Sequence, residues 1–244
     1  MFLFILSTLV TVGRVRAQTT DSQLWAEYML NHPFGDSWNV ELAATYSTLL
    51  KASGWQSVDL QLTPEFILSS HVDLQAALLY NRTMQYQPLT STEVRAMLGS
   101  RIHLTPKRRI LTRLLVRIEQ RYLYYPDVDK KEQSTRGRLR VETVTPLNRK
   151  SMYDGDALWY LLADAEAFVP LDDQLDERFL SRYRFRVGPG YRLSYTWRLE
   201  FLYTLQQSRN TLAGDFNTTD NIFRIRVKHF LHQDRSSRLQ GNGN

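Results

Sequence analysis

Cysteine is absent from the 244-residue chain. Disulfides, thiolate metal sites and a lipid-modified cysteine anchor are thereby excluded together. After the first 17 residues there is also no apolar run near 18 residues, the length a helix needs to cross a bilayer. Helix-period patterning is scarce, and no Gly-rich phosphate loop, His-Glu-x-x-His pair or acidic calcium loop is present. Neither charge sign dominates: 31 Lys and Arg stand against 25 Asp and Glu, a formal net charge of +6. Hydrophobic residues make up 43% and charged residues 23% of the chain. A soluble protein has such a composition, but so does a membrane β-barrel, because only every second residue of each strand meets lipid.

The chain opens on MFLFILSTLVTVG, too short to span as a helix, followed by Val15-Arg16-Ala17, a small-x-small site. Residues 1–17 are therefore expected to be a secretory signal peptide, although no Lys or Arg precedes the apolar run, and an uncleaved anchor is the alternative. Removal of Arg14 and Arg16 would leave 29 basic against 25 acidic residues, lowering the formal charge to +4. Residues 18–36 read as a periplasmic lead-in or a first weak strand, residues 37–232 as the barrel and residues 233–244 as a polar tail.

What the chain has in quantity is period-two alternation. In RYRFRVGPGYRLS, Tyr183, Phe185, Val187, Tyr191 and Leu193 fall on odd positions and Arg182, Arg184, Arg186 and Arg192 on even ones; Trp197, Leu199, Phe201, Tyr203 and Leu205 repeat the pattern. Such spacing puts the two classes on opposite faces of a strand. Similar alternation begins at Trp38, Val58, Val72, Val94, Ile110, Arg136, Leu158 and Phe223. Around Ile110 to Tyr124 a helical stripe competes, but the β-branched and Tyr content favours a strand. A wide apolar, aromatic face opposite an arginine face suits a barrel with lipid outside and a polar lumen inside. The expected fold is all-β, an up-and-down antiparallel transmembrane barrel of about 10 strands, with 12 as the alternative; counting the weak segment around Trp25 gives eleven.

Connections alternate in length. Ser69-Ser70-His71, Thr105-Pro106-Lys107 and Ser194-Tyr195-Thr196 are tight, whereas LLKASGWQ, NRTMQYQPLTST and PDVDKKEQST are long and polar; the stretch from Asn148 to Asp156 stands where a short turn is due and is long. Outer-membrane barrels have short periplasmic turns and longer outer loops. With that orientation Trp38, Phe66, Trp159 and Trp197 fall near one rim and Tyr46, Tyr80, Tyr122 and Tyr124 near the other, which predicts two aromatic girdles at headgroup level.

The segment RYRFRVGPGYRLSYTWRLEFLYTLQQ resembles the closing motif of a family of uncharacterised bacterial outer-membrane β-barrels catalogued as a domain of unknown function. The matching residues are Arg184, Arg186, Gly188, Gly190, Tyr191, Arg192, Leu199, Glu200, Tyr203 and Gln206, with Trp25 and the strands RLLVRIEQRY, RGRLRVE and DAEAF similar further upstream. Phe201-Leu202 departs from the Gly often found there. The resemblance implies a barrel in a Gram-negative outer membrane and brings no activity with it.

If the apolar face meets lipid, the lumen receives Arg113, Arg117, Glu119, Arg121, Arg138, Arg140, Glu142, Asp164, Glu166, Arg182, Arg184, Arg186, Arg198, Glu200, Arg224 and Arg226. Asp164 and Glu166 lie between two Arg-rich strands, so cross-strand ion pairs are natural. Barrels of eight to ten strands have interiors that side chains can largely fill. A lumen filled by an Arg/Glu/Asp network, with a structural or small-solute role, is the expectation. A narrow anion-selective pore or an anionic-ligand site is the alternative, since rings of Arg favour anions. Two further classes stay open: a soluble periplasmic lipocalin-like barrel, with the apolar face inward, and an outer-membrane lipid hydrolase. For hydrolysis a nucleophile, base and orienting group must meet, yet only His71 has Ser neighbours, within a tight turn. No cofactor and no metal is expected. The expected partners are membrane lipid, lipopolysaccharide and small anionic solutes; nucleic acid is not expected, because rings and arginines point to opposite faces.

Overall fold

In the computed structural model, which describes residues 20–51, 54–85, 90–171, 182–209 and 216–231, the chain forms one closed barrel. The signal peptide expected at 1–17 and the tail expected at 233–244 lie outside the described residues, as do 172–181 and 210–215 in two of the long connections. The strands are β1 (Thr20–Phe34), β2 (Trp38–Leu49), β3 (Trp55–Ile67), β4 (Val72–Gln85), β5 (Ser91–His103), β6 (Leu111–Tyr125), β7 (Lys130–Pro146), β8 (Leu158–Pro170), β9 (Arg182–Arg192), β10 (Trp197–Arg209) and β11 (Phe216–Phe230). A single 3₁₀ turn, Pro126–Val128, connects β6 to β7.

The described barrel has eleven strands, within the expected range of ten to twelve. Each sequential pair is antiparallel, and β1 closes on β11 in parallel, with Trp25 opposite Arg224 and Glu27 opposite Arg226. This parallel seam departs from the wholly antiparallel expectation. An odd number of strands leaves no other choice, because the first and last then run in the same direction. Closure pairs the edges of the sheet and leaves no open ladder.

Tight turns between β1 and β2, β3 and β4, and β9 and β10 gather at one end, which also carries the longer connections 104–110 between β5 and β6, expected to be tight, and 147–157 between β7 and β8. Gly35 takes a positive φ of 56° in the first of these turns, a backbone conformation glycine adopts without steric cost. Ser69 Oγ accepts the N–H groups of His71 and Val72 at 3.2 and 3.1 Å and so fixes the turn before β4.

Parity sorts the two faces. Leu42, Tyr46, Leu60, Leu62, Leu78, Leu98, Ile118, Phe185 and Phe201 are exposed outside, while Glu119, Ser134, Glu200 and Thr204 are fully buried inside. The exterior is thus a continuous apolar surface. Trp38, Trp159 and Trp197 are exposed at the tight-turn rim, where Trp38 packs on Phe66 at 5.0 Å between centroids and Trp159 on Tyr191 at 4.7 Å. Tyr46 and Tyr80 stand further toward the long-loop end, with Tyr122 and Tyr124 next to it.

The interior is not uniformly polar. Toward the tight-turn end Leu111, Val144, Leu158, Tyr160, Leu162 and Leu202 form an apolar cluster completed by Met152. Met152 comes from the long turn 147–157, which is pinned by Arg192 donating to the carbonyl oxygens of Met152 (2.5 Å) and Gly155 (3.4 Å). Tyr160 lies flat on Gly190, where an added Cβ would come within 2.3 Å of the ring, and its hydroxyl donates to Glu200 Oε1 at 2.7 Å. On β9 the backbone at Gly188 approaches β10 still more closely. Gly190→Val should displace Tyr160 and destabilise the barrel by about 1–3 kcal/mol, the usual cost of overpacking. Gly137→Ala, with only Val169 O at 3.8 Å, should stay within about 0.5 kcal/mol. Urea unfolding of the barrel in lipid, followed by heat-modifiable gel mobility, measures both.

Candidate functional site in the barrel lumen

The strand period turns the even residues of β7 to β11 and the odd residues of β1 to β6 toward one interior space. A cavity of about 1130 Å³ occupies it. Its lining runs from Asp21, Ser91 and Tyr125 at the long-loop end to Asn31, Asn39, Arg101 and Phe230 near the tight turns. It therefore extends along most of the barrel, beside the apolar cluster that fills the β7 to β10 side.

Glu119 on β6 is the centre of one group. Its side chain is 0% exposed and accepts from Arg117 at 2.7 and 3.0 Å, from Arg136 at 2.7 Å, and from Arg95 and Arg138 at 3.4 Å. Four guanidiniums around one carboxylate leave local positive charge. Glu93 takes Arg121 at 2.8 and 3.1 Å and Arg95 at 2.7 Å. Glu166 is bonded to Arg138 and lies 3.5 Å from Arg184; Asp164 lies 3.2 Å from Arg186. Glu200 accepts from Lys228 at 2.8 Å and Arg226 at 3.0 Å in addition to Tyr160. Glu27 joins the seam by accepting from Arg226 at 2.5 Å and Arg224 at 3.1 Å. Arg113 lies 3.5 Å from Glu142. Charge-assisted, often bidentate bonds of this kind are what a guanidinium requires when it leaves bulk water.

Each of these ion pairs joins one strand to itself or to its neighbour, while Tyr160 on β8 reaches Glu200 on β10 and Arg101 on β5 reaches Glu65 on β3, one strand further. None of them spans the lumen, so the network coats the wall and leaves the cavity between. Arg140, Arg182 and Arg198 also line that cavity, and the Arg198 guanidinium lies over the Phe230 ring at 4.4 Å.

Two rings stand inside among the cations. Phe168, 4% exposed, carries Arg136 at 4.5 Å and Arg138 and Arg184 at 5.2 Å from its centroid. Trp25 carries Arg224 at 4.5 Å and Arg184 at 5.9 Å. Cation–π contact orients guanidiniums that a carboxylate does not fully engage. Sequence reasoning missed both rings as lumen residues, along with Glu27 and Glu93. The register of β1 was the missing signal: with Leu24, Ala26 and Tyr28 outside, Trp25 and Glu27 must point in. Similarly, LWYLL on β8 is apolar at both parities, because at that level the inner face, with Leu158, Tyr160 and Leu162 buried, is apolar as well as the exposed outer face of Trp159 and Leu161.

Ser70 Oγ lies 2.9 Å from His71 Nδ1 in the exposed turn before β4, and His103 bonds Asp73 at 2.6 Å inside the barrel. Among the described residues no group of three or more His, Asp or Glu is placed to hold a metal ion.

Fold and lumen together define an all-β closed barrel that is apolar outside and charged within. The chain belongs to the family described as protein of unknown function (DUF2490), which matches residues 22–217. No curated protein matches it. Among solved structures it is similar to a NanC porin in a rhombohedral crystal form, at 10% identity and a TM-score of 0.48, covering 85% of this chain and 98% of that one.

Glu119→Gln should remove the negative charge that Arg117, Arg136, Arg138 and Arg95 share, at a cost of about 3 kcal/mol as for other broken buried pairs. Glu132 pairs with Lys130, 64% exposed at its side chain, and accepts from Tyr125 at 3.4 Å, so Glu132→Gln should cost less than about 1 kcal/mol. Urea titration of the two variants in one lipid separates them.

Proposed function

We propose that this chain is an exported outer-membrane barrel whose arginine-lined lumen admits small anionic solutes. The observation that carries the proposal is the cavity running beside an ion-paired wall instead of a network meeting across the centre. An apolar exterior with aromatic rings at its rims supports membrane lipid as the surrounding medium, with lipopolysaccharide at the outer leaflet. A soluble barrel with this exterior would expose far more contiguous apolar surface than soluble monomers tolerate. Surplus guanidiniums around Glu119, Phe168 and Trp25 favour anions over cations in the lumen. The tight turns would face the periplasm and the long connections the outside.

Cell fractionation should recover the protein with the outer membrane, in a form whose gel mobility shifts on heating. In planar bilayers across a potassium chloride gradient, the reversal potential should report chloride preference, and Arg136→Gln should weaken it severalfold. Silence at every salt concentration would support a closed structural barrel, and recovery as a soluble protein would overturn the location.

A further inference from the structure

The charges of the lumen are segregated around its circumference. Between Thr20 and Gln85 the basic residues are Lys51, in the connection after β2, and Arg82, exposed on the outer face of β4. The β1 to β4 wall thus presents carboxylates without cations of its own, while the Arg-rich strands β6 to β11 supply the opposite wall. Some carboxylates of the first wall are held by neighbours, as Glu27 and Glu65 are by Arg226 and Arg101. Glu41 and Asp59 are not: both line the cavity, Asp59 accepts from the uncharged Asn81 at 2.5 Å, and among the described residues neither has a cationic group within ion-pair distance, Arg101 and Lys228 reaching Glu41 and Arg95 reaching Asp59 only at longer range.

Across the lumen, Arg140 on β7 lies opposite Glu166 and within electrostatic reach of Glu142 and Asp164, yet among the described residues no carboxylate comes within ion-pair distance of it and its buried Nε has no hydrogen-bond partner. In a ring of eleven strands β2 and β7 stand nearly opposite. Glu41, Asp59 and Arg140 all line the same cavity. A polar cavity therefore has uncommitted acceptors on one side and an uncommitted donor on the other. A single-charged ion satisfies one side and leaves the other exposed, whereas a molecule carrying both charges satisfies each in place, and its dipole lies along the field between them.

We infer that the lumen binds small zwitterions, with the ammonium toward Glu41 and Asp59 and the carboxylate toward Arg140, in preference to matched monovalent ions. The inference deepens the proposed anion-admitting lumen and rests on its being accessible to solutes, but it does not require conduction. The test is binding of 4-aminobutyrate, butanoate and n-butylammonium to the purified, folded full-length barrel in nanodiscs, by isothermal titration at low salt. 4-Aminobutyrate should bind at least about tenfold more tightly than either single ion, a margin of about 1.4 kcal/mol. Glu41→Gln with Asp59→Asn should reduce that margin to below about threefold while strengthening butanoate; Arg140→Gln should weaken both carboxylates. Butanoate binding as tightly as 4-aminobutyrate, or no binding of 4-aminobutyrate to the folded wild-type barrel, would overturn the inference whatever the variants do. A barrel that binds 4-aminobutyrate selectively yet is silent in bilayers upholds the inference and removes the passage. One that conducts chloride without that selectivity does the reverse.

Discussion

An arginine can stand inside a narrow barrel only where a carboxylate, ring or water meets its guanidinium, and that requirement organises the lumen. Strand pairing supplies the geometry. Residues opposite each other on neighbouring strands bring side chains of one face within reach, and the registers set Glu142 beside Arg113, Asp164 beside Arg186, Glu166 beside Arg184 and Glu200 beside Arg226. A one-residue slip would send the arginines of a strand to the apolar exterior. Register, pairing and the sidedness of the barrel are therefore one constraint seen at three scales.

The same constraint explains why the network lines the wall. Most guanidiniums find partners on the same strand or one or two strands away, so the ion pairs follow the wall. Where the lumen does close, on the β7 to β10 side near the tight turns, it closes with Leu111, Leu158, Leu162, Leu202 and Met152. Gly190 makes room for Tyr160 at the border between that cluster and the charged region, and Tyr160 carries a hydroxyl to Glu200. The Gly and Glu positions of the closing motif meet through this ring. A feature that reads in sequence as two separate signatures is one packing unit in space.

Much of the barrel was legible in the chain because its period is so short. Alternation of Arg182, Arg184 and Arg186 with Tyr183, Phe185 and Val187 needs no knowledge of neighbours to declare two faces, and the spacing of turn residues declares which connections are tight. The site was legible only as a set of inward residues. Which arginine meets which carboxylate depends on register, and Glu119 gathers four of them because β5, β6 and β7 align there. Trp25 was visible as an aromatic residue but not as a lumen ring, since β1 finds its facing only by pairing with β2 and β11.

By itself, then, the sequence determined a β-barrel with an apolar exterior, a charged interior and tight turns at one end. Those properties follow from side-chain order along single strands, where alternation alone assigns a face. Tertiary structure decided the eleven-strand closure through a parallel β1–β11 seam, the tuck of Met152 into the lumen, and the cavity that remains beside the paired wall. It also set the strands that carry Glu41 and Arg140 nearly opposite each other. These depend on closing the sheet into a ring, which brings together strands that are far apart in the chain and gives each inward side chain a neighbour that no local pattern specifies.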